Sequence, residues 1–225
     1  MIKLENIQKS FGETKVLKNV SLTFEKGKVY GIVGENGAGK STLFRCIAGL
    51  ESYDGFIDYS EGILKNHLGY LETNPSVLSK ITGLEHLKLF CQARNITTKG
   101  LKDKNAFELP LEKYVSTYST GMKKKLALTA ILLQKNDIFI LDEPYNGIDI
   151  QSNLLLNKII HKLKDNGKIV ILSSHIFSTL QETCDRLFYL KEGEIKQTLE
   201  KGEFKNLEEE MKANIKETFL ENLWN

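Results

Sequence analysis

The chain has 225 residues, 41% hydrophobic and 27% charged, with a formal net charge of +2. That length supports one globular α/β domain with a substantial core and room for a small insertion. The near-neutral balance argues against a dedicated nucleic-acid binder. Cys46, Cys91 and Cys184 are widely spaced and contain no CxxC pair, which excludes a disulfide framework or zinc site and reads as reduced intracellular thiols. The opening MIKLENIQKSFG has no apolar signal core, and no run nears the roughly 20 apolar residues of a membrane span. A soluble protein is expected, whose membrane role, if any, needs a partner.

In chain order, Ile2, Leu4 and Ile7 predict a first strand, and Ser10-Phe11-Gly12 a turn. Val16, Val20, Leu22 and Phe24 predict the next strand or strands, and Gly27 turns the chain into the β-favouring run Val29, Tyr30, Ile32 and Val33. A glycine-rich stretch follows, then a helix carrying Leu43, Phe44, Ile47 and Leu50 with Gly49 near its end. Asp54-Gly55 reads as a turn, 56–59 as a strand and 67–71 as a short buried strand. The character changes at Thr73-Asn74-Pro75. From Ile81 to about Leu111 the pattern is helical, carried by Leu84, Leu87, Leu89, Phe90 and Ala93. Gly100 and the polar residues 102–105 mark an exposed connection.

Tyr118-Ser119-Thr120-Gly121-Met122 then leads into a helix through Gln134. The buried strand Ile138–Leu141 ends in Asp142-Glu143-Pro144. A helix over 153–163 precedes a strand at 168–172, which ends in Ser173-Ser174-His175. A helix to about Thr183, strands near 186–190 and 194–198, and an amphipathic surface helix over 204–223 complete the chain. Alternating strands and helices predict a largely parallel sheet covered on both faces, centred on the strands near 29–33, 138–141 and 168–172.

Residues 29–43 read VYGIVGENGAGKSTL: Gly, four residues, then Gly-Lys-Ser, set between a strand and a helix. Gly34, Gly37 and Gly39 tolerate positive φ and let backbone amides turn inward around an anion. The helix opening near Gly39 adds free N–H groups and the positive end of its dipole. Lys40 supplies a point charge for β and γ phosphates, and the Ser41 hydroxyl suits Mg²⁺. The bland alternative is a glycine-rich turn after a buried strand; the flanking elements favour a nucleoside triphosphate site.

Four apolar residues followed by two acids put Asp142 and Glu143 at the carboxyl edge of the sheet, where ligands bind. Asp142 suits Mg²⁺ through water, and Glu143 suits a general base that polarises the attacking water. An acidic surface turn is the ordinary alternative. His175 ends a second buried strand, placed to bond the γ-phosphate and that water. His67, His86 and His161 lack such placement. Lys123, Lys124 and Lys125 read as a solvated face, not a nucleic-acid patch.

The loop GENGAGKST, the segment ILDEPYNGID and the segment SSH, in this order and spacing, resemble the ATP-binding cassette (ABC) ATPases over about residues 2–200. STGM at 119–122 sits where that family carries its LSGGQ signature. The resemblance implies a P-loop NTPase fold, α/β in class, with a mainly parallel central sheet. To this it adds an N-terminal antiparallel β subdomain and an inserted α-helical subdomain. It divides one domain, about 2–215, into an ATP-binding core at 1–73 and 118–210 and a helical subdomain at 74–117; a C-terminal helix follows at 211–225. It implies ATP and Mg²⁺ as cofactors, with Glu143, His175 and Lys40 catalytic. Nucleotide binding falls to Phe11 and the run Gly34, Glu35, Asn36, Gly37, Ala38, Gly39, Lys40, Ser41 and Thr42. Ser119 and Gly121 would clamp the γ-phosphate of an opposed subunit, since the family pairs two cassettes head to tail around two ATP molecules. Ser119 also fits a plain N-cap. Asp149 matches the family's D-loop at the dimer interface. Phe11 matches the aromatic that stacks on adenine, against the alternative of a core Phe.

There are departures. Where the family has a Gln after a Gly-Tyr-Leu-like strand, the chain has Glu72-Thr73, so the third metal contact beside Ser41 and Asp142 falls to either Thr73 or Glu72. Thr120 replaces the first signature Gly, and Tyr145 replaces the commoner Thr. The resemblance implies a homodimer or heterodimer of ATPase subunits, peripheral on the inner face of the cell membrane through a transmembrane permease, with no nucleic-acid partner. ETNPSVLSKITGLEHL resembles bacterial exporter ATPases of the drug and peptide-antibiotic type. A soluble ABC ATPase of assembly or translation is the rival; such chains carry two cassettes or a long coiled coil. A P-loop kinase or GTPase is disfavoured by STGM, by paired Asp142-Glu143 and by the lack of an NKxD-like motif.

Overall fold

A computed structural model describes residues 1–213. Two sheets share the chain. The first is antiparallel, in the order β2-β1-β4, built from β1 (Ile2–Phe11), β2 (Thr14–Phe24) and β4 (Asp54–Tyr59). The second is six-stranded, built from β3 (Lys28–Val33), β5 (Leu68–Leu71), β6 (Ile138–Leu141), β7 (Ile169–Ser173), β8 (Arg186–Lys191) and β9 (Glu194–Glu200). Its order is β5-β6-β7-β3-β8-β9, parallel except for β9, which returns antiparallel from β8. The three strands expected at the centre, β3, β6 and β7, lie side by side there.

Those strands are apolar on both faces, as a parallel sheet covered by helices requires. Val29, Val33, Phe139, Leu141, Val170 and Leu172 join one core with α2 (Gly83–Gln92), α3 (Thr120–Leu133), α4 (Ile150–Asp165) and α5 (Phe177–Thr183). The alternate residues Tyr30, Ile32, Ile138, Ile140, Ile169 and Ile171 join a second core. That core also takes α1 (Lys40–Ile47) and the antiparallel sheet.

The structure corrects several expectations. The Ser10-Phe11-Gly12 turn begins later, because β1 runs through Phe11. Asp54-Gly55 is no turn: both residues belong to β4, where Gly55 sits at φ 107° beside a register shift against β1. The helix expected over 81–111 ends at Gln92; two single-turn 3₁₀ segments, Lys102–Lys104 and Val115–Thr117, follow. α2 opens on a reciprocal cap, with the Thr82 side chain accepting from Glu85 N–H and the Glu85 carboxylate accepting from Thr82 N–H at 2.8 Å. At the C-terminus α6 spans Phe204–Ala213, so the helix expected over 211–225 lies, past Ala213, outside the described residues.

Candidate functional site

The β6, β7 and β3 strands all point their carboxyl ends to one rim of the sheet. A cavity of about 650 Å³ opens there. Its lining brings together Phe11, Asn36, Gly37, Gly39, Lys40, Ser41, Thr42, Thr73, Asp142, Glu143 and His175. These come from five separate stretches of the sequence.

The loop between β3 and α1 needs its glycines for two different reasons. Gly39 caps α1 at φ 108°, a left-handed conformation that other residues rarely adopt. Gly34 does not have positive φ, contrary to expectation; a Cβ there would lie 2.1 Å from the Leu190 carbonyl oxygen. It is needed for close packing against β8. Lys40 is buried, and its Nζ donates to the Gly34 carbonyl at 2.6 Å and the Glu35 carbonyl at 3.1 Å. Burial lowers its pKa, while the Glu143 and Asp142 charges push it back up. Glu35 and Ala38 contribute to this loop but border a separate, smaller hollow with Lys191 and Glu192.

The two acids are fastened by their neighbours. Ser173 Oγ donates to Asp142 Oδ1 at 2.6 Å and accepts the Glu143 N–H at 2.8 Å. Glu143 adopts φ 48°, an uncommon conformation for a side chain of its kind. Its Oε1 lies 2.8 Å from His175 Nδ1, and Asn146 Nδ2 stands 3.4 Å from His175 Nε2. Asp142 and Glu143 are buried, whereas His175 is exposed.

Sequence reasoning missed Asn146, which lines the cavity, and Ser173, which bridges both acids. A serine closing a buried strand opposite two acids was the available signal for Ser173. It also misplaced Lys124. Only 3% exposed, Lys124 is not on a solvated face; its Nζ donates to the Glu143 carbonyl at 2.7 Å and the Asn146 carbonyl at 2.9 Å. Lys125 pairs with Asp149 at 2.6 Å.

Phe11 is 49% exposed on the cavity rim, which removes the core-Phe alternative, and Lys9 Nζ sits 4.8 Å from its ring centroid. Thr73 lines the cavity, while Glu72 is engaged by Arg45 at 2.7 Å. Ser119 and Gly121 stand outside this cavity. Ser119 does cap α3, accepting from Met122 N–H at 3.2 Å. Tyr145 is buried and bonds Asn157 of α4 at 2.7 Å.

Residues 17–146 match the family model described as ABC transporter. The chain belongs to the ABC transporter family. This ABC ATPase is 31% identical over 219 residues to a lantibiotic transport ATP-binding protein, SrtF, of Streptococcus pyogenes, covering 93% of this chain and 95% of that protein. It is 32% identical over 208 residues to the bacitracin transport ATP-binding protein BcrA of Enterococcus faecalis, covering 87% and 68%. A solved ATP-binding subunit of an ABC transporter superposes with a TM-score of 0.78 at 25% identity, covering 89% of this chain and 90% of that one. A dimeric ATP-binding cassette bound to ADP and phosphate shares the fold with a TM-score of 0.75 at 24% identity, covering 89% and 99%. Within the ABC ATPase described here, no helix among the described residues is long and apolar enough to cross a membrane.

Proposed function

We propose that this ABC ATPase hydrolyses ATP at the sheet rim to drive export through a separate transmembrane permease. The convergence of Lys40, Asp142, Glu143 and His175 on one cavity carries the reading. Lys40 and the amides opening α1 would bind the phosphates. Phe11, backed by Lys9, offers its ring to adenine. Among the described residues no cluster of three or more His, Cys, Asp or Glu is arranged to hold a metal alone. Ser41 and Asp142, with Thr73 beside them on the same cavity lining, would hold a magnesium ion brought in with the nucleotide, since Mg²⁺ binds through one or two carboxylates plus phosphates. When bound, the ion supplies charge neutralisation on the phosphates.

Glu143 orients the attacking water and accepts its proton. His175, bonded to the same carboxylate, fixes which way it faces and presents its other nitrogen to the cavity. Ser119 and the free amides at the α3 N-terminus suit the γ-phosphate of an opposed copy, in a head-to-tail dimer. The exposed Ile150 and Leu154 beside Asp149 supply apolar surface for that contact. Relatives named for bacitracin and lantibiotic transport support a transport role. Such an ATPase would sit on the inner face of the membrane through its permease.

Glu143→Gln tests the chemistry. Turnover should fall at least a hundredfold, with ATP-bound dimers accumulating on a sizing column, consistent with the usual ~10²–10⁴-fold worth of a general base. Unchanged turnover would remove Glu143 from its role.

A further inference from the structure

Lys124 is an odd residue to find where it lies. Taking an ammonium out of water costs several kcal/mol, and an apolar side chain of similar length would fill the same space without that cost. Packing therefore does not explain it. Its two partners do suggest a use: both are backbone carbonyls of the turn that carries the general base.

That turn needs holding. Glu143 occupies a left-handed conformation, which persists only where the surroundings over-determine it. Its N–H is tied to Ser173, its carboxylate to His175 and its carbonyl to Lys124, with a further 3.2 Å bond from Asn146 N–H. Of these partners, Lys124 alone comes from α3.

The same face of α3 carries two more contacts to this segment. Gly121, three residues earlier, lies so close that a Cβ would stand 2.4 Å from the Gly147 carbonyl oxygen. Lys125, one residue later, pairs with Asp149. Positions 121, 124 and 125 share one helix face. The first two turns of α3 and the 143–149 segment thus form one fastened unit, with Lys124 the innermost fastening.

We propose that Lys124 is a positioning residue that sets the Glu143 backbone for hydrolysis and couples it to the α3 N-terminus. The inference rests on the function proposed above. In that reading the α3 N-terminus addresses the nucleotide of the opposed copy, while Glu143 serves the nucleotide of its own. A displacement of α3 on closure is then felt at Glu143 through the Lys124 ammonium. Two ATP sites become linked through one side chain that touches neither nucleotide.

Two substitutions in the full chain test this. Both variants have side chains one atom shorter than lysine: Lys124→Met removes both hydrogen bonds, and Lys124→Gln has the same reach but keeps a neutral N–H donor. Mg·ATP turnover, equilibrium binding of a fluorescent ATP analogue and Tm are read for each. Lys124→Met should lose at least tenfold in kcat and Lys124→Gln three- to tenfold, both with nucleotide Kd within twofold of the parent. Turnover within twofold in both variants overturns the proposal, as does equal loss in kcat and affinity. If Lys124→Met does not fold, Lys124→Gln decides: kcat within twofold with lowered Tm marks a structural role only. Glu143→Gln is run alongside. If it too keeps turnover, the function itself fails; if it alone is inactive, only the Lys124 inference fails.

Discussion

At the scale of single residues, the site is made by close approach as much as by charge. Gly34 shows this: the pattern of glycines was legible in the sequence, but the reason for Gly34 lies in β8, far along the chain, and no local rule points to it. Gly34→Ala should abolish nucleotide binding, because its Cβ would meet the Leu190 carbonyl oxygen at 2.1 Å and the loop must move; binding of an ATP analogue by the folded variant checks it. Away from the site, His86 is 1% exposed, stacks on Phe90 with ring centroids 4.6 Å apart, and has no hydrogen-bond partner for either ring nitrogen among the described residues. Burial pulls its pKa from 6.5 down to about 4. The unfolded chain binds the proton first, so this stability is complete above about pH 6.5 and is lost as pH falls toward 4. The loss reaches about 3 kcal/mol at most. Urea unfolding at pH 7 and pH 5 should show it, and His86→Leu should flatten that difference. Burial also pushes the Cys184 thiol up to about 12, which makes it a poor nucleophile toward maleimide in the folded protein.

At the scale of elements, strands with buried faces were the easiest to read. β3, β6 and β7 are continuous apolar runs that end in functional residues, and their carboxyl ends share a rim because the sheet is parallel. The reading failed where two local signals compete. Asp-Gly is a turn dipeptide by itself, yet in β4 it serves a bulge against β1. The helical periodicity after Ile81 ends at Gln92 because the later apolar residues, Leu101, Phe107, Leu109 and Leu111, reach the core from non-helical chain. The T-x-x-E of Thr82 and Glu85, a start signal for α2 that periodicity alone passes over, is a capping box in the structure. Lys124 was illegible for a different reason: three adjacent lysines look solvated until the loop that covers one of them is placed. Ser119 has two jobs to separate, cap and phosphate clamp. Ser119→Ala should cost about 1 kcal/mol as a lost cap, read as a Tm drop of roughly 2–4 °C. If the clamp operates as well, kcat falls at least tenfold in protein that remains fully folded.

For the whole molecule, the arrangement is a nucleotide site on a rigid parallel sheet, with less regular chain between β5 and α3. That chain leaves Leu78, Leu89 and Tyr114 exposed, suitable for an apolar contact with a permease. Leu89→Glu should therefore reduce co-purification with a polytopic membrane protein while leaving the ATPase rate of the isolated chain within twofold. Purification with ribosomes instead would favour a role in translation. Loop amides, one ammonium and two acids would together hold a metal-bound triphosphate at the rim of β3, β6 and β7. Lys40→Ala tests this most directly, by equilibrium ATP affinity and phosphate release. Affinity should be at least tenfold weaker and turnover lost; parental values of both would rule out a triphosphate held in this way.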